Sequence, residues 1–410
     1  MTKFFWFRSA LVVPAFAALL LPSAAATQQV QLLVGGDTEW SQYPYQPAVA
    51  YMYDDGGFRV PYLRLEESLD EIRDRIGPVE FDVTYAQRHF LTIQHDLEWA
   101  TEQDEWRHSF RRTRDLIQSA DIAFINLEMP ISDRAQMQQT SSVGSTGYAD
   151  ALAWAGFDVI SIANNRMLDG EMIGMLDTRE ALSRAGIGAV GGGRNLKEAR
   201  LPYIVERNGL RVAFLAYTSG VSWFGVDGFA RPGGAGVMAM DPFLIKEDIE
   251  RVRDEVDFVA LSFHWGVGSR EAPQDILEPG RKFAQEMIDA GADIIIGTGC
   301  HCSKGVEVYK GGVILYQIAN YAFGHSHDYF EDYYLTRLTL EQGSIPRVEL
   351  LPTSGFGLDV VQPYTLEGER AQTLLRRIQG LSRTLDTEMT IEGDIGVIRP
   401  GPLRITRVGR

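Results

Sequence analysis

The chain has 410 residues, of which 45% are hydrophobic, enough for one large or two ordinary domains with a sizeable core. Its 55 acidic residues outnumber its 39 basic residues and give a formal net charge of −16. This charge argues against a nucleic-acid partner, which would need a basic face, although it leaves room for an electropositive pocket in an acidic protein.

The N-terminal residues are predicted to be an export signal rather than part of the fold. Lys3 and Arg8 precede a short apolar stretch, and Ala24 and Ala26 then form a small-residue cleavage site. We therefore expect a signal peptide over residues 1–26 and a periplasmic or extracellular location in a bacterium. A membrane anchor is the alternative. No later apolar run reaches about 18 residues, so no further span is expected.

From residue 30 onwards, β-rich apolar runs alternate with segments of helical periodicity. The runs are QVQLLVGGD, DIAFINLE, FDVISIANN, LRVAFLAYT, VDFVALSFHWG, ADIIIGTG and GVILYQIAN. Helical spacing marks EMIGMLDTREALSRAGI, DPFLIKEDIERVRDEV and EPGRKFAQEMIDAGA. The second of these helices opens with Asp241 as a good N-cap, followed by Pro242 at the first helical position. Strands alternating with helices predict an α/β fold.

Two segments differ in composition from this core. Residues 43–112 are aromatic and highly charged with helical stretches, and we interpret them as a helical insertion after the first core strand. Near the C-terminus, ERAQTLLRRIQGLSRTLDTEM predicts a helix, followed by a mostly irregular end. The predicted organisation is therefore a core domain over residues 27–355 and a C-terminal extension over residues 356–410.

Polar side chains stand where six of the apolar runs stop. They are Asp37, Asn126 with Glu128, Asn164 with Asn165, His264, His301 and Asn320. Taken singly, each has an ordinary explanation as a turn or core residue. Because ligands bind at the carboxyl ends of strands in α/β sheets, their coincidence favours one shared site. Oxygen and nitrogen ligands of this kind suit one or two divalent ions, Mn²⁺, Fe²⁺, Zn²⁺ or Mg²⁺, as in many phosphatases.

The two cysteines of the chain, Cys300 and Cys302, flank His301. A structural zinc site would need four ligands, including a second pair that the sequence lacks. In an extended strand the two Cα atoms would lie near the outer limit for a disulfide. Two small buried thiols are the favoured interpretation, with a disulfide as the alternative.

Several stretches, taken in order, resemble the CapA family. The matching pieces are GGDT, INLEMPIS, AGFDVISIANNRMLDG, GGGRNLKEA, VDFVALSFHWG, AGADIIIGTGCHCSKGVEVYKGG and ILYQIANYAFG. This family is associated with poly-γ-glutamate capsule biosynthesis and is similar to calcineurin-like metallophosphatases. The resemblance implies a four-layer α/β/β/α sandwich of the metallo-dependent phosphatase type, with a metal centre between the sheet ends.

The resemblance also implies roles for individual residues. Asp37 and His301 would bind the first metal, Glu128 would take the bridging position, and Asn165 and His264 would serve the second metal. The residues that would support these ligands without contacting a metal are Asn126 and Asn320. The positions assigned to catalysis are Asn164 and Arg166.

Two residues depart from the family pattern. Arg166 replaces the histidine of the usual NNH motif, the expected proton donor in the related phosphatases, and arginine cannot act as a general acid near neutral pH. Gly299 and Thr298 stand where the first histidine of a late H-x-H motif is expected, which leaves only His301. Arg166 and the nearby Lys304 would instead bind an anion, since guanidinium groups bind carboxylate or phosphate. A salt bridge from Arg166 to Asp169, three residues on, is the alternative.

Two functions follow, and the sequence leaves open whether the chain is an enzyme. The first is an exported metal-dependent hydrolase of capsule or exopolymer biosynthesis, acting on a phosphoester or on an amide of a cell-envelope polymer. The second is a non-catalytic binding or assembly factor for an anionic polymer, built on the same fold. Capsule-synthesis membrane proteins are the expected protein partners in either case.

Overall fold

The computed structural model describes residues 28–39, 105–135, 143–221, 225–266, 278–323, 332–355 and 362–399. The predicted signal peptide and the predicted insertion up to residue 104 lie outside these described residues. No helix within the described ranges is long and apolar enough to cross a membrane.

The secondary structure consists of short helices and many strands. The helices are α1 Arg114–Gln118, α2 Tyr148–Ala155, α3 Glu171–Arg184, α4 Leu196–Ala199, α5 Pro242–Arg253, α6 Glu278–Asp289 and α7 Gly368–Arg383. The strands are β1 Gln29–Glu39, β2 Ile122–Leu127, β3 Val159–Ser161, β4 Gly188–Val190, β5 Gly192–Gly193, β6 Tyr203–Arg207, β7 Leu210–Thr218, β8 Gly236–Val237, β9 Phe258–His264, β10 Ile294–Thr298, β11 Val306–Tyr309, β12 Gly312–Leu315, β13 Asn320–Phe323, β14 Tyr333–Glu341, β15 Arg347–Thr353, β16 Thr390–Glu392 and β17 Ile395–Ile398.

The described strands form two large sheets and a small pair, β5 with β8. The first sheet has the order β16-β17-β15-β14-β1-β2-β3-β4, and β13 also pairs with β1. Its strands β1 to β4 are parallel, whereas β14, β15, β17 and β16 continue it antiparallel. The second sheet has the order β11-β12-β10-β9-β7-β6, with β12, β10, β9 and β7 parallel. The prediction of a mixed α/β fold is therefore confirmed.

Three hydrophobic clusters hold these elements together. One contains side chains of both large sheets, and in it the rings of Phe124 and Phe214 stack with 5.6 Å between their centroids. A second joins the first sheet to α1, α2 and α3, and a third joins the second sheet to α5 and α6. Each large sheet thus buries apolar side chains on both faces, which explains why its parallel strands are nearly continuous apolar runs.

The four helices predicted outside the insertion are confirmed as α3, α5, α6 and α7, including the start of α5. The side chain of Asp241 accepts hydrogen bonds from the backbone N–H groups of Phe243 and Leu244, as an N-cap does. The interpretation of the C-terminal end as mostly irregular was wrong for its described part, up to residue 399. After α7, β16 and β17 form a hairpin that pairs with β15 and extends the first sheet. Strands of three and four residues are too short for periodicity to reveal.

The apolar run GVILYQIAN is divided between the two sheets. Its first part is β12, which ends at Leu315 in the second sheet, whereas Asn320 opens β13 and pairs with Asp37 of β1 in the first sheet. Ala319 between them has a φ of 60°, a left-handed conformation that turns the chain. Asn320 therefore begins a strand rather than ending one, and the crossover places it beside Asp37.

Candidate metal centre

Three of the predicted ligands meet where parallel strands of the two sheets end. Asp37 lies near the end of β1, Glu128 directly follows β2, and His264 ends β9. All three are buried, with 0%, 1% and 5% of their surface exposed. One ligand atom from each lies within 4.8 Å of the other two, a spacing that a single metal ion can bridge.

The ring of His264 lies between the two carboxylates. Its Nδ1 is 3.6 Å from Oδ1 of Asp37, and its Nε2 is 3.6 Å from Oε1 of Glu128. Nδ1 is also 3.1 Å from the hydroxyl of Thr298, the residue opposite His264 in the neighbouring strand β10. A proton on Nδ1 shared with Thr298 leaves the Nε2 lone pair facing Glu128, the arrangement that a metal-binding imidazole requires.

Asp37 is held by hydrogen bonds from two directions. Its Oδ1 accepts from the amide of Asn126 at 2.8 Å, and its Oδ2 accepts from the backbone N–H of Gly299 at 3.0 Å. Burial acts to raise the pKa of Asp37, but His264, His301 and Asn126 outweigh it and lower the pKa below its usual value. The side chain is therefore a carboxylate at neutral pH.

Glu128 lies in a less favourable environment. Burial, together with the negative charges of Asp37 and Glu39, raises its pKa well above the usual value, and the nearby charge of Arg166 opposes this only in part. Among the described residues, none donates a hydrogen bond to its buried Oε2. A buried carboxylate oxygen without a partner is costly, and a hard cation would satisfy it. The residues present therefore fit a divalent metal ion.

His301 and Asn320 form a pair beside this group. Nδ1 of His301 is 2.7 Å from the Oδ1 of Asn320 and 3.7 Å from Oδ2 of Asp37. A proton donated from Nδ1 to Asn320 would leave Nε2 of His301, with its lone pair, as the atom that can bind a metal. Asn320 thus supports a candidate ligand, in the manner that the resemblance implies.

The loop after β3 carries the two predicted asparagines. The amide of Asn164 donates to the backbone oxygen of Leu127 at 2.7 Å and to Oδ1 of Asn126 at 3.2 Å. Asn164 therefore fixes the side chain that in turn holds Asp37. Asn165 is half-buried in the same loop.

The two predicted anion-binding residues lie in different settings. Nε of Arg166 forms a salt bridge at 3.0 Å with Asp169, the pairing that the alternative interpretation predicts. Its side chain stays 20% exposed, and its charge acts on Glu128. Lys304 is fully buried, and its backbone N–H donates to the carbonyl of Gln317.

The expectation of two free thiols was wrong, because Cys300 and Cys302 form a disulfide with Cα atoms 5.3 Å apart. The strand β10 ends at Thr298, and the chain then turns at Gly299 and His301, which have φ values of 105° and 55°. These turns shorten the separation that an extended strand would impose.

Sequence reasoning missed two contributors to the site, Thr298 and Gly299. Thr298 is the last residue of an apolar run, so the rule that located the other polar residues at strand ends also applies to it. Gly299 acts through its backbone N–H, for which a sequence offers no signal. A Cβ at this position would lie 3.0 Å from Nε2 of His264, so the close approach of the ring requires glycine.

Comparison with known proteins identifies relatives of the chain. Residues 91–325 match the family model described as bacterial capsule synthesis protein PGA_cap. The chain is 28% identical over 253 residues to the capsule biosynthesis protein CapA of Bacillus anthracis, a match that spans 59% of this chain and only 60% of that protein. It is 30% identical over 281 residues to a probable polyglutamine synthesis accessory protein of Mycobacterium tuberculosis (strain CDC 1551 / Oshkosh), covering 60% of this chain and 70% of that protein.

Among solved structures, the chain is similar to a dimetal phosphatase from Danio rerio, with 10% sequence identity and a TM-score of 0.30 over 59% of this chain and 96% of the other. The family match covers more than half of the chain, and it confirms the resemblance to CapA proteins that the sequence motifs predicted. The chain belongs to the PGA_cap family of bacterial capsule synthesis proteins.

Proposed function

We propose that the chain is an exported, metal-dependent hydrolase of capsule or exopolymer biosynthesis that acts on a phosphoester or amide bond of an anionic cell-envelope polymer. The observation that carries this proposal is the buried group of Asp37, Glu128 and His264, in which Oε2 of Glu128 has no hydrogen-bond partner among the described residues. Family membership and the names of the relatives support the capsule context. The N-terminal sequence supports export to the periplasm or beyond.

The proposed architecture is a four-layer α/β/β/α sandwich of the metallo-dependent phosphatase type. The three hydrophobic clusters support it, because one joins the two large sheets and the others join each sheet to its own set of helices. In such an arrangement the carboxyl ends of the parallel strands of both sheets lie close enough to share one site.

Asp37, Glu128 and His264 would hold a divalent ion, with His301 as a further ligand. Mn²⁺, Fe²⁺, Zn²⁺ and Mg²⁺ suit this donor set, as one ion or two. When bound, the metal would supply Lewis acidity toward water and the scissile group. The hydroxyl of Thr298 can accept a hydrogen bond from Nδ1 of His264, as Oδ1 of Asn320 can from Nδ1 of His301.

Arg166 determines which leaving groups the site can expel. Its guanidinium remains protonated near neutral pH and cannot donate a proton to the departing oxygen. It can instead bind a phosphate or carboxylate group of the substrate. We therefore expect fast hydrolysis only where the leaving group needs no proton, as with nitrophenyl esters.

A second function, binding or assembly of an anionic polymer without catalysis, is favoured by one observation. Arg166 places a permanent cation, still 20% exposed, beside the candidate centre. Under this proposal the polymer carboxylates contact Arg166, and capsule-synthesis membrane proteins are the partners that deliver or receive the polymer.

Metal content and hydrolysis together distinguish the two functions. The chain without residues 1–26, purified without chelators, is analysed for bound metals and assayed with bis-p-nitrophenyl phosphate and with poly-γ-glutamate. Bound metal, and a turnover that His264→Gln abolishes, support the hydrolase. A chain that holds no metal but binds poly-γ-glutamate supports the second function, provided that Arg166→Ala weakens this binding. The control is Arg184→Ala, which removes an exposed arginine paired with Glu180 on α3.

A further inference from the structure

The loop that carries His301 is anchored on both sides. Before it, the backbone N–H of Gly299 donates to Asp37 at 3.0 Å, and that of Cys300 donates to the side-chain oxygen of Gln317 at 3.2 Å. After it, the N–H of Lys304 donates to the carbonyl of Gln317 at 3.0 Å. The flanking residues are thus fixed, and the placement of the imidazole depends on the backbone conformation of His301 itself.

That conformation is an uncommon one for a residue other than glycine. His301 has a φ of 55°, in the left-handed region that side chains with a Cβ rarely occupy. In this conformation Nδ1 reaches Asn320 at 2.7 Å and approaches Oδ2 of Asp37 at 3.7 Å. A return to negative φ would rotate the ring away from both partners.

The disulfide joins the residues on either side of this turn. Two residues of extended chain span roughly 6.6 Å, whereas the Cα atoms of Cys300 and Cys302 are 5.3 Å apart. The shorter distance excludes an extended residue between them, so the bridge holds His301 in a turned conformation, which in this structure is the left-handed one. We propose that the Cys300–Cys302 disulfide is a positioning device for the candidate metal ligand His301, and that opening it weakens metal binding.

The proposal rests on the proposed metal centre and adds redox dependence to it. A dithiol opens the bridge when its thiolate attacks one cysteine sulfur and its second thiol resolves the mixed disulfide. Two electrons and two protons pass to the chain, which then carries two thiols, and the reductant leaves as a disulfide. His301 is then free to relax. Loss of a group that orients a metal ligand typically lowers metal affinity by roughly tenfold or more.

The test measures Mn²⁺ affinity by isothermal titration calorimetry in three samples. They are the oxidised native chain, the native chain reduced with dithiothreitol, and the double variant Cys300→Ser/Cys302→Ser. We expect roughly tenfold weaker binding in the last two samples. The same comparison in a His301→Ala background should show no further loss, because the bridge acts through that residue. A bridge with a merely structural role would weaken binding in both backgrounds.

A second readout needs no metal. In the oxidised metal-free chain, nitrogen NMR should show one tautomer of His301, with its proton on Nδ1, and in the reduced chain a mixture of tautomers. Circular dichroism checks that each sample is folded. The reduced native chain decides the test if the serine variant does not fold.

The outcomes separate this inference from the function on which it rests. An oxidised native chain that binds no Mn²⁺ refutes the metal centre itself. Equal Mn²⁺ affinity before and after reduction refutes only the role of the disulfide. Tighter Zn²⁺ binding after reduction would also overturn the inference, because the released thiolates would then be acting as ligands.

Discussion

Replacing Glu128 by glutamine tests whether this buried carboxylate exists to hold a cation. Burial and the charges of Asp37 and Glu39 raise the pKa of Glu128 well above the reference value of 4.5. A carboxyl whose pKa is higher in the folded state binds protons more tightly when folded, so stability falls as the pH rises above about 4.5. At neutral pH the metal-free chain is therefore less stable than one with an uncharged side chain at this position, because the unfolded chain releases the Glu128 proton more readily than the folded chain does. Glu128→Gln removes the titrating group.

The stabilisation expected from Glu128→Gln has an upper limit. At pH 7.5, about three pH units above the reference pKa, ionisation of one carboxyl corresponds to at most about 4 kcal/mol. The glutamine amide brings N–H groups that also need hydrogen-bond partners, and their burial offsets about 1–2 kcal/mol of this stabilisation. We expect Glu128→Gln to raise the free energy of unfolding of the metal-free chain by about 1–3 kcal/mol at pH 7.5 and to have little stabilising effect at pH 4.5.

Urea unfolding of the chelator-treated chain at the two pH values measures this change. Glu307 is the matched control, because it is also buried but accepts hydrogen bonds from Arg281, Gln285 and Tyr316. Glu307→Gln should destabilise the chain by about 1–3 kcal/mol, since it breaks bonds to a charged group. Mn²⁺ should raise the melting temperature of the native chain but not of Glu128→Gln. If Glu128→Gln destabilises the metal-free chain as Glu307→Gln does, the reasoning is wrong.

Two further substitutions test the surroundings of His264. Thr298→Val should lower Mn²⁺ affinity roughly tenfold in calorimetry because Nδ1 of His264 loses its hydrogen bond to the Thr298 hydroxyl, whereas Thr298→Ser should retain the affinity. Gly299→Ala should lower the free energy of unfolding, measured in urea, by about 2 kcal/mol or more, and it should weaken Mn²⁺ binding. Alanine at this position would have to adopt a φ of 105°, and its Cβ would lie 3.0 Å from the imidazole of His264. Gly343→Ala, at a φ of 76° with no neighbour within 4 Å, should cost about 1 kcal/mol and leave Mn²⁺ affinity unchanged.

The sequence located the candidate centre because parallel strands bring their carboxyl ends to one edge. Asp37 pairs with Asn126 across β1 and β2, and Thr298 pairs with His264 across β9 and β10. A polar residue at the end of an apolar run is therefore enough to place a side chain at that edge. Every contact that depends only on this register could be predicted from the sequence.

Contacts that depend on turns could not be predicted in this way. His301 lies beyond the end of β10, and its direction is set by left-handed backbone at two positions and by the disulfide. Asn320 reaches the site through a crossover at Ala319, within what looks like one uninterrupted apolar run. Periodicity describes regular elements, and it is insensitive to a single residue of positive φ.

The two residues that depart from the CapA pattern, Gly299 and Arg166, both contact neighbours in or beside the candidate centre. At position 299, the space that a side chain would enter contains the ring of His264, while the backbone N–H donates to Asp37. At position 166, the guanidinium is paired with the buried Asp169. A histidine at 299 would displace His264, and a histidine at 166 would leave Asp169 without that cation. Replacing either residue by histidine therefore perturbs the centre itself, and loss of function in such a variant would not distinguish a hydrolase from a polymer-binding protein. Metal binding and turnover by the native chain together separate a hydrolase from a polymer-binding protein.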